Sequence, residues 1–266
     1  MAQAQALPAR SARTPQRPGV FLRRLFRRRL VGVGAVLVLA FLGVSALAPV
    51  LAPQGYDAQN LTRRLLPPSA AASLGTDSLG RDLLVRIVWG ARVSLEVGVL
   101  AVGLGLTVGS FFGMLSGFYA GWMDRAIMGA MDVLLAFPGI LLALAIIAAL
   151  GPGLAQVMVA VGAHEIPSFA RLVRGSVLTI RTQEYVGAAR ALGASDARVM
   201  IRHVAPNVVA PIIVLSSLAI GTTILAAAAL SFLGLGAQPP LPDWGGMINQ
   251  GRAFLSTALR IFMPSS

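Results

Sequence analysis

Long apolar runs separated by shorter polar stretches dominate this sequence. Residues 31–52 form an apolar segment of about the twenty residues that a bilayer requires. Later apolar runs predict further helical spans at residues 93–118, 126–150, 154–173 and 206–235. The pattern therefore predicts an all-α, polytopic helical membrane protein with about five complete spans.

The polar stretches predict the domain organisation and the orientation. Residues 1–29 are rich in arginine, proline and alanine, which is typical of a flexible tail. A basic cluster directly before an apolar span places that end in the cytoplasm. A nucleic-acid-binding arm is disfavoured beside a membrane span, and a signal peptide is disfavoured by the length of the apolar run. The predicted order is a cytosolic tail at 1–29, a first transmembrane helix at 30–52, an extracytoplasmic segment with a short interfacial helix at 53–92, a transmembrane core at 93–236, and an extracytoplasmic segment at 237–266.

A charged loop at residues 175–206 interrupts the apolar core. Arginines at the bilayer centre cost about 2.5–3.5 kcal/mol each on an insertion scale, so this loop is predicted to lie on the water side. Helical spacing predicts a first short helix that ends at Gly193 and a second that starts after Ser195 and gives way at Pro206 to the next apolar segment. Periodicity leaves two interpretations open: a helical plug for a groove on a partner, or a solvated connector.

Ionisable residues inside the predicted spans are candidates for a transport pathway. Asp132 lies in the third span, where Pro138 is expected to kink the helix. His164 and Glu165 interrupt the fourth span. Adjacent residues point in different directions on a helix, so hydrogen bonding between helices is the alternative to an ion path.

Composition excludes most enzymatic chemistry. The 266 residues are 56% hydrophobic and 12% charged, with a net charge of +12, and they contain neither lysine nor cysteine. Walker A lysines, Schiff-base lysines, thiolate metal sites and cysteine nucleophiles are therefore absent. His164-Glu165 begins an HExxH zinc motif, but Ser168 stands where the second histidine is needed, and no GxSxG serine motif is present. We predict no catalytic residues, no metal site and no enzymatic activity.

The charged loop resembles the EAA signature of the membrane subunits of binding-protein-dependent ABC importers. Ala188, Ala189, Gly193 and Pro206 match the signature, whereas Gly187 replaces its usual glutamate. Ala205 likewise replaces the usual leucine before the proline. Further segments are similar to the DppC/OppC branch of peptide permeases: residues 74–82, 90–95, 132–138, 170–175 and 231–236.

The resemblance implies a type I ABC importer transmembrane domain in the bacterial inner membrane. Its implied partners are a second, DppB/OppB-like permease, two ATPase domains that hold the ATP and magnesium, an extracytoplasmic substrate-binding protein and membrane lipid, without nucleic acid. This chain is expected to bind no cofactor itself. Six core helices are implied, and the last is expected to be missing after Arg252.

The implied function is ATP-driven import of peptides, with the loop as a coupling helix held rigid by the packing of Ala188 and Ala189. The implied coupling residues are Glu184, Tyr185, Gly187, Ala188, Ala189, Ala191, Leu192, Gly193, Ala194, Arg198 and Pro206. The alternative from another class is an ion-coupled secondary transporter or channel that uses Asp132, Glu165 and His164.

Overall fold

The structure, a computed structural model, describes residues 29–262, without the side chains of residues 253 and 255–262. The chain divides into two compact units, residues 1–43 and 44–266. Apart from Arg29, the predicted flexible tail of residues 1–29 lies outside the described residues.

Helices account for all the regular secondary structure in the described part of the chain, which contains no strand, so the all-α prediction is confirmed. The α-helices are α1 (Arg29–Leu51), α2 (Leu83–Tyr119), α3 (Gly121–Ala136), α4 (Gly139–Leu150), α5 (Leu154–Ile180), α6 (Glu184–Ala191), α7 (Asp196–Val199), α8 (Ala205–Phe232) and α9 (Trp244–Phe262). A 3-10 helix covers Leu61–Arg63, and a π-helix covers Met200–Val204.

Three helices among the described residues are long and apolar enough to cross a membrane: α1, α2, and the helix formed by α7, the π-helix and α8 together. The pair α3 and α4 is a fourth candidate if the two count as one span. The remaining predicted span, α5, has 27 residues but carries Glu165, Arg171 and Arg174, which lower its apolar character. This count agrees loosely with the predicted five.

The third predicted span is broken at the proline that was expected to kink it. The axes of α3 and α4 differ by 93°. Phe137 has an extended backbone with φ −90° and ψ 132°, as expected for a residue that precedes proline. Pro138 then stands at the N-cap of α4, where its missing backbone N–H costs no helical hydrogen bond.

The segment before α2 differs from the prediction of a separate interfacial helix. Asp82 caps a single 37-residue helix, and its Oδ1 accepts hydrogen bonds from the backbone N–H groups of Leu84 (2.8 Å) and Val85 (3.3 Å). No proline interrupts the helix between residues 83 and 119, and most of its glycines are buried. The predicted interfacial helix is therefore the first part of α2.

Glycines on one face of α2 allow close contact with α5. A methyl group added at Gly109 or Gly113 would overlap the backbone carbonyl of Ile166 or Ala170, respectively. One added at Gly105 would lie 2.6 Å from Cβ of Glu165. These two helices therefore pack backbone to backbone, which fixes the position of everything attached to their ends.

The C-terminal region forms a helix, α9, that the sequence did not predict and that is not among the described helices apolar enough to cross a membrane. α9 is 19 residues long and packs against α8, where a methyl group added at Gly245 would overlap the carbonyl of Ala228. The indole N–H of Trp244 donates a 3.0 Å hydrogen bond to the carbonyl of Ile87 in α2. A search for continuous apolar runs missed α9 because its apolar residues alternate with polar ones around an amphipathic helix.

Candidate functional site

The charged loop is attached to the ends of three long helices by buried valines. Val186 of α6, Val199 of α7 and Val204 of the π-helix are all fully buried. They form one apolar cluster with Phe118 at the end of α2, Val173 and Val177 near the end of α5, and Val208 in the first turn of α8. The loop is therefore part of the folded body rather than a solvated connector.

A glycine turn joins α6 to α7. Gly193 has φ +83°, a left-handed conformation that L-residues with a side chain rarely adopt. The backbone N–H of Ala194 donates to the carbonyl of Ala189 (3.0 Å), and the N–H of Gly193 donates to that of Arg190 (2.9 Å). Ser195 stands at the N-cap of α7, although its side chain makes no capping bond. The helix end predicted at Gly193 is found there.

Two arginines tie the loop to the end of α2. The guanidinium of Arg181 donates through Nη1 to the backbone carbonyls of Gly117 (3.1 Å) and Phe118 (3.2 Å). These carbonyls lie in the last turn of α2, where a helix lacks internal donors. Arg190 lies 5.0 Å from the ring centre of Phe118 and 3.7 Å from Asp196. Sequence analysis missed Arg181 and Phe118, because neither lies within the matched signature.

The outer surface of the loop carries large apolar side chains. Leu192 is 89% exposed and Ile201 is 72% exposed, and the ring of Tyr185 is also exposed. Most of the other predicted coupling residues are also exposed: Glu184, Gly187, Ala188, Ala191, Gly193, Arg198 and Pro206. The remaining two, Ala189 and Ala194, are half-buried. This surface, defined by Tyr185, Leu192 and Ile201, is called the apolar tip below.

Two expectations about the loop need correction. Ala188 is exposed, and the contact that holds α6 on the body is made instead by Val186, two residues earlier and on the opposite side of the helix. The second short helix also does not end before Pro206. It continues through the π-helix into α8, whose first turn accommodates Pro206.

A bidentate ion pair joins the start of α3 to α5 close to the loop. Nε and Nη2 of Arg174 donate to Oδ1 (2.5 Å) and Oδ2 (2.6 Å) of Asp124. The hydroxyl of Ser116 at the end of α2 also hydrogen-bonds Asp124. Sequence analysis did not identify this pair, because its two residues lie 50 positions apart in the chain.

The intramembrane pathway candidates do not form one site. Asp132 forms a 2.6 Å ion pair with Arg171, and both side chains are more than half exposed. The His164 ring instead lies against Gly139 and lines a cavity of about 280 Å³ between α4, α5 and α8. Glu165 packs by its Cβ against Gly105 of α2. Within residues 29–262 no cluster of three His, Cys, Asp or Glu residues could hold a metal ion.

Two family models match separate parts of the chain. Residues 109–265 match the family described as binding-protein-dependent transport system inner membrane component. Residues 19–68 match the N-terminal transmembrane domain of oligopeptide transport permease C.

Curated relatives are similar over most of their length. The glutathione transport system permease protein GsiD of Pectobacterium atrosepticum is 47% identical over 247 residues, which cover 92% of this chain and 81% of that protein. The dipeptide transport system permease protein DppC of Alkalihalophilus pseudofirmus is 44% identical over 236 residues, covering 89% and 78%.

A solved structure shares the fold at low sequence identity. An inward-facing structure of the MetNI methionine ABC transporter aligns with a TM-score of 0.54 and 18% identity, over 65% of this chain and 82% of that one. These matches do not support the ion-coupled secondary transporter. The chain belongs to the family of binding-protein-dependent transport system inner membrane components, as a permease of the DppC and OppC type.

Proposed function

We propose that this chain forms half of the translocation pore of an ATP-driven peptide importer. The movement of the ATPases is transmitted to it through the loop at residues 175–206. Its partners are a second permease, two ATPase domains that hold ATP and magnesium, and an extracytoplasmic binding protein that delivers the peptide. The chain performs no chemistry. Its N-terminus and the loop lie in the cytoplasm, in line with the basic residues before α1.

The observation that carries this proposal is the combination of a buried base and an exposed apolar tip. Fully buried valines connect the loop to α2, α5 and α8. The opposite side presents Leu192 and Ile201 almost fully to water, which is unfavourable unless a partner covers them. A surface of this kind fits a groove on an ATPase.

The geometry supports a rigid-body mechanism. When the ATPases close on ATP, their displacement of the tip would act on Val186 and Val199 and so on the ends of three long helices. The π-helix connects α7 to α8 without a gap, so no flexible linker separates the second short helix of the loop from the long helix α8.

Peptides are the proposed substrate class. The relatives named above are a glutathione permease and a dipeptide permease, and both substrates are short peptides or peptide-like molecules. No metal-binding cluster is found in the described part of the chain, which fits passage of an organic substrate rather than a resident ion.

Site-directed crosslinking tests the coupling assignment directly, since the chain contains no cysteine and any introduced thiol is unique. Leu192→Cys is expected to crosslink to an ATPase subunit in membranes that contain the assembled transporter. Leu61→Cys, also exposed but located in the segment before the opposite end of α2, is the matched control and should not crosslink. Failure of Leu192→Cys to reach an ATPase that copurifies with the chain would contradict the proposal.

The energy source is tested in right-side-out vesicles that contain the whole transporter with its binding protein outside and ATP in the lumen. Uptake of a dipeptide is expected to require ATP and to persist after the proton gradient is collapsed. Uptake that stops with the gradient while ATP remains would instead support ion coupling.

A further inference from the structure

One side of α5 changes from apolar to polar along the helix. Near the start of α5 this side carries Val157 and Val161, which are 0% and 3% exposed and pack in one cluster with residues of α4. It continues, at spacings of three or four residues, through a set called the polar face below: His164, Ser168, Arg171, Gly175 and Thr179. The polar face begins beside Gly139, the first residue of α4, against which the His164 ring lies. The side is therefore apolar where α4 covers it and polar beyond that cover.

Most of the polar face is left uncovered by the rest of the described chain. Between residues 160 and 180, the exposed residues of α5 are Arg171, Gly175 and Thr179, and no apolar side chain in that range is exposed. The opposite side of the helix carries Phe169 and Val173, both fully buried. A membrane helix that faces lipid has apolar residues on its exposed side, so α5 shows the reverse arrangement.

A charged pair lies on the polar face. Nη2 of Arg171 donates to Oδ1 of Asp132 in α3 at 2.6 Å, and the two side chains are 52% and 63% exposed, respectively. The pair makes no other hydrogen bond with residues 29–262. The remaining guanidinium donors and Oδ2 of Asp132 therefore need partners from outside the chain. Water supplies such partners, whereas lipid tails do not.

The length of α5 places the pair at membrane depth. At about 1.5 Å per residue, its 27 residues extend over about 40 Å, which exceeds the hydrocarbon layer of about 30 Å. Arg171 lies about 14 Å along the helix from its end at Ile180. Ser168 is close to the middle of the helix. Contact with lipid at this depth is costly for charged groups, which face a water-filled path or the interior of a bundle instead.

We propose that the polar face, with the Asp132–Arg171 pair, lines the water-filled pathway along which the peptide crosses the membrane. Water hydrates the free donors and acceptors of the pair. Because the pair is neutral as a whole, it lets cationic and anionic peptides pass alike. The identity of the cargo rests on the proposed function, whereas the hydration of the polar face does not.

Labelling of single cysteines tests the hydration. The chain contains no cysteine, so Ser168→Cys adds a unique thiol and leaves the ion pair intact. The assembled transporter, with cysteine-free partners, is placed in nanodiscs and treated with a charged methanethiosulfonate, with and without a non-hydrolysable ATP analogue. The reagent reacts with thiolates, which form in water and are disfavoured in apolar surroundings. Ser168→Cys is therefore expected to react about tenfold or more faster than a lipid-facing cysteine in at least one of the two states.

Leu39→Cys is the matched control for that comparison. Leu39 lies near the middle of α1, is surrounded in sequence by apolar residues and is 65% exposed. Since Ser168 is half-buried, a faster reaction of Ser168→Cys does not arise from better steric access. If Ser168→Cys reacts no faster than Leu39→Cys in either state, lipid or a dry contact with the second permease covers the polar face, and the proposal is overturned.

Uptake of charged dipeptides tests whether the cargo passes the pair. Right-side-out vesicles with the binding protein outside and ATP in the lumen receive alanyl-lysine or alanyl-glutamate. Asp132→Asn leaves an unbalanced positive charge and is expected to lower the ratio of alanyl-lysine to alanyl-glutamate uptake by about fivefold, the effect of a unit charge about 4 Å away in water. Arg171→Gln is expected to raise that ratio by about as much. The double variant is neutral and should restore the original ratio.

The ratio separates a pathway role from a structural one. If the pair only holds α3 against α5, each single variant lowers the uptake of both dipeptides equally, and the unchanged ratio overturns the proposal. Both side chains are more than half exposed, so the single variants are expected to fold. If the unchanged chain imports neither dipeptide, the peptide substrate of the proposed function fails, and the labelling of Ser168→Cys still decides whether the polar face lines a water-filled path.

Discussion

Leu192→Ala is expected to detach the permease from its ATPase without destabilising the permease. Leu192 is 89% exposed in the isolated chain, so its truncation removes almost no internal contact. If a partner groove buries it, the lost carbons correspond to about 2 kcal/mol at about 0.8 kcal/mol for each buried methylene. That loss corresponds to a decrease of about 30-fold in affinity for the ATPase.

The assay titrates purified ATPase onto nanodiscs that contain the permease pair and measures both binding and stimulated ATP hydrolysis. Leu61→Ala is the control, since Leu61 is 63% exposed but lies in the segment before α2, away from the loop. The thermal stability of both variants should match that of the unchanged chain. Unaltered ATPase affinity with Leu192→Ala would refute the argument that the apolar tip is buried by that partner.

Three further outcomes are expected. Gly113→Leu should prevent folding, because the leucine side chain would overlap the α5 backbone and such overpacking costs about 1–3 kcal/mol or more. Gly103→Leu is its control: Gly103 has open space around it, so this variant should yield normal amounts of protein in the membrane. Val186→Asp should bury an unpaired charge and abolish transport while the chain stays in the membrane. Ala188→Asp, at an exposed position, should leave the loop folded. Limited proteolysis of the loop checks both outcomes.

Burial alone would raise the pKa of the Asp77 carboxyl, but hydrogen bonds from the backbone and side chain of Arg81 and from the backbone of Leu79 outweigh it, so the pKa is lowered. The stabilisation is therefore complete above the unfolded value of about 3.9 and is lost as the pH falls through the lower, folded value. Hydrogen-exchange protection factors, which correct for the pH dependence of the intrinsic exchange rate, should stay high for residues 54–82 from neutral pH to about pH 4 and fall below it. In Asp77→Asn they should be low at every pH.

The sequence was sufficient to predict the positions of the membrane helices, because a bilayer requires a long, predominantly apolar segment and one polar residue rarely changes that pattern. The break at Pro138 was likewise predictable, since proline restricts its own backbone and that of Phe137. The direction of the α4 axis after the break was not, because it depends on packing against α5.

The helices that the sequence misjudged are those whose burial is decided by partners elsewhere in the fold. The polar residues 76–82 made the start of α2 look like a separate interfacial helix, but Asp77 within them forms ion pairs with Arg81 and Arg86 inside the protein. α9 is held by Gly245 against α8 and by Trp244 against α2, and neither contact has a local signal.

The candidate loop was recognisable from Ala188, Ala189, Gly193 and Pro206, yet the residue that fastens it is Val186. A valine among small and apolar residues carries no distinguishing pattern, and its burial follows only from the position of Phe118 and Val177 on two other helices.

The continuous helix from Asp196 to Phe232 has a mechanical consequence. At about 1.5 Å per residue, its 37 residues form a rod about 55 Å long, which exceeds the thickness of the hydrocarbon layer. If the helix is rigid and pivots at a point inside the membrane, moving its Asp196 end to one side moves its Phe232 end to the other side. Small shifts at one surface of the membrane thereby become lateral displacements at the other, where α9 is attached.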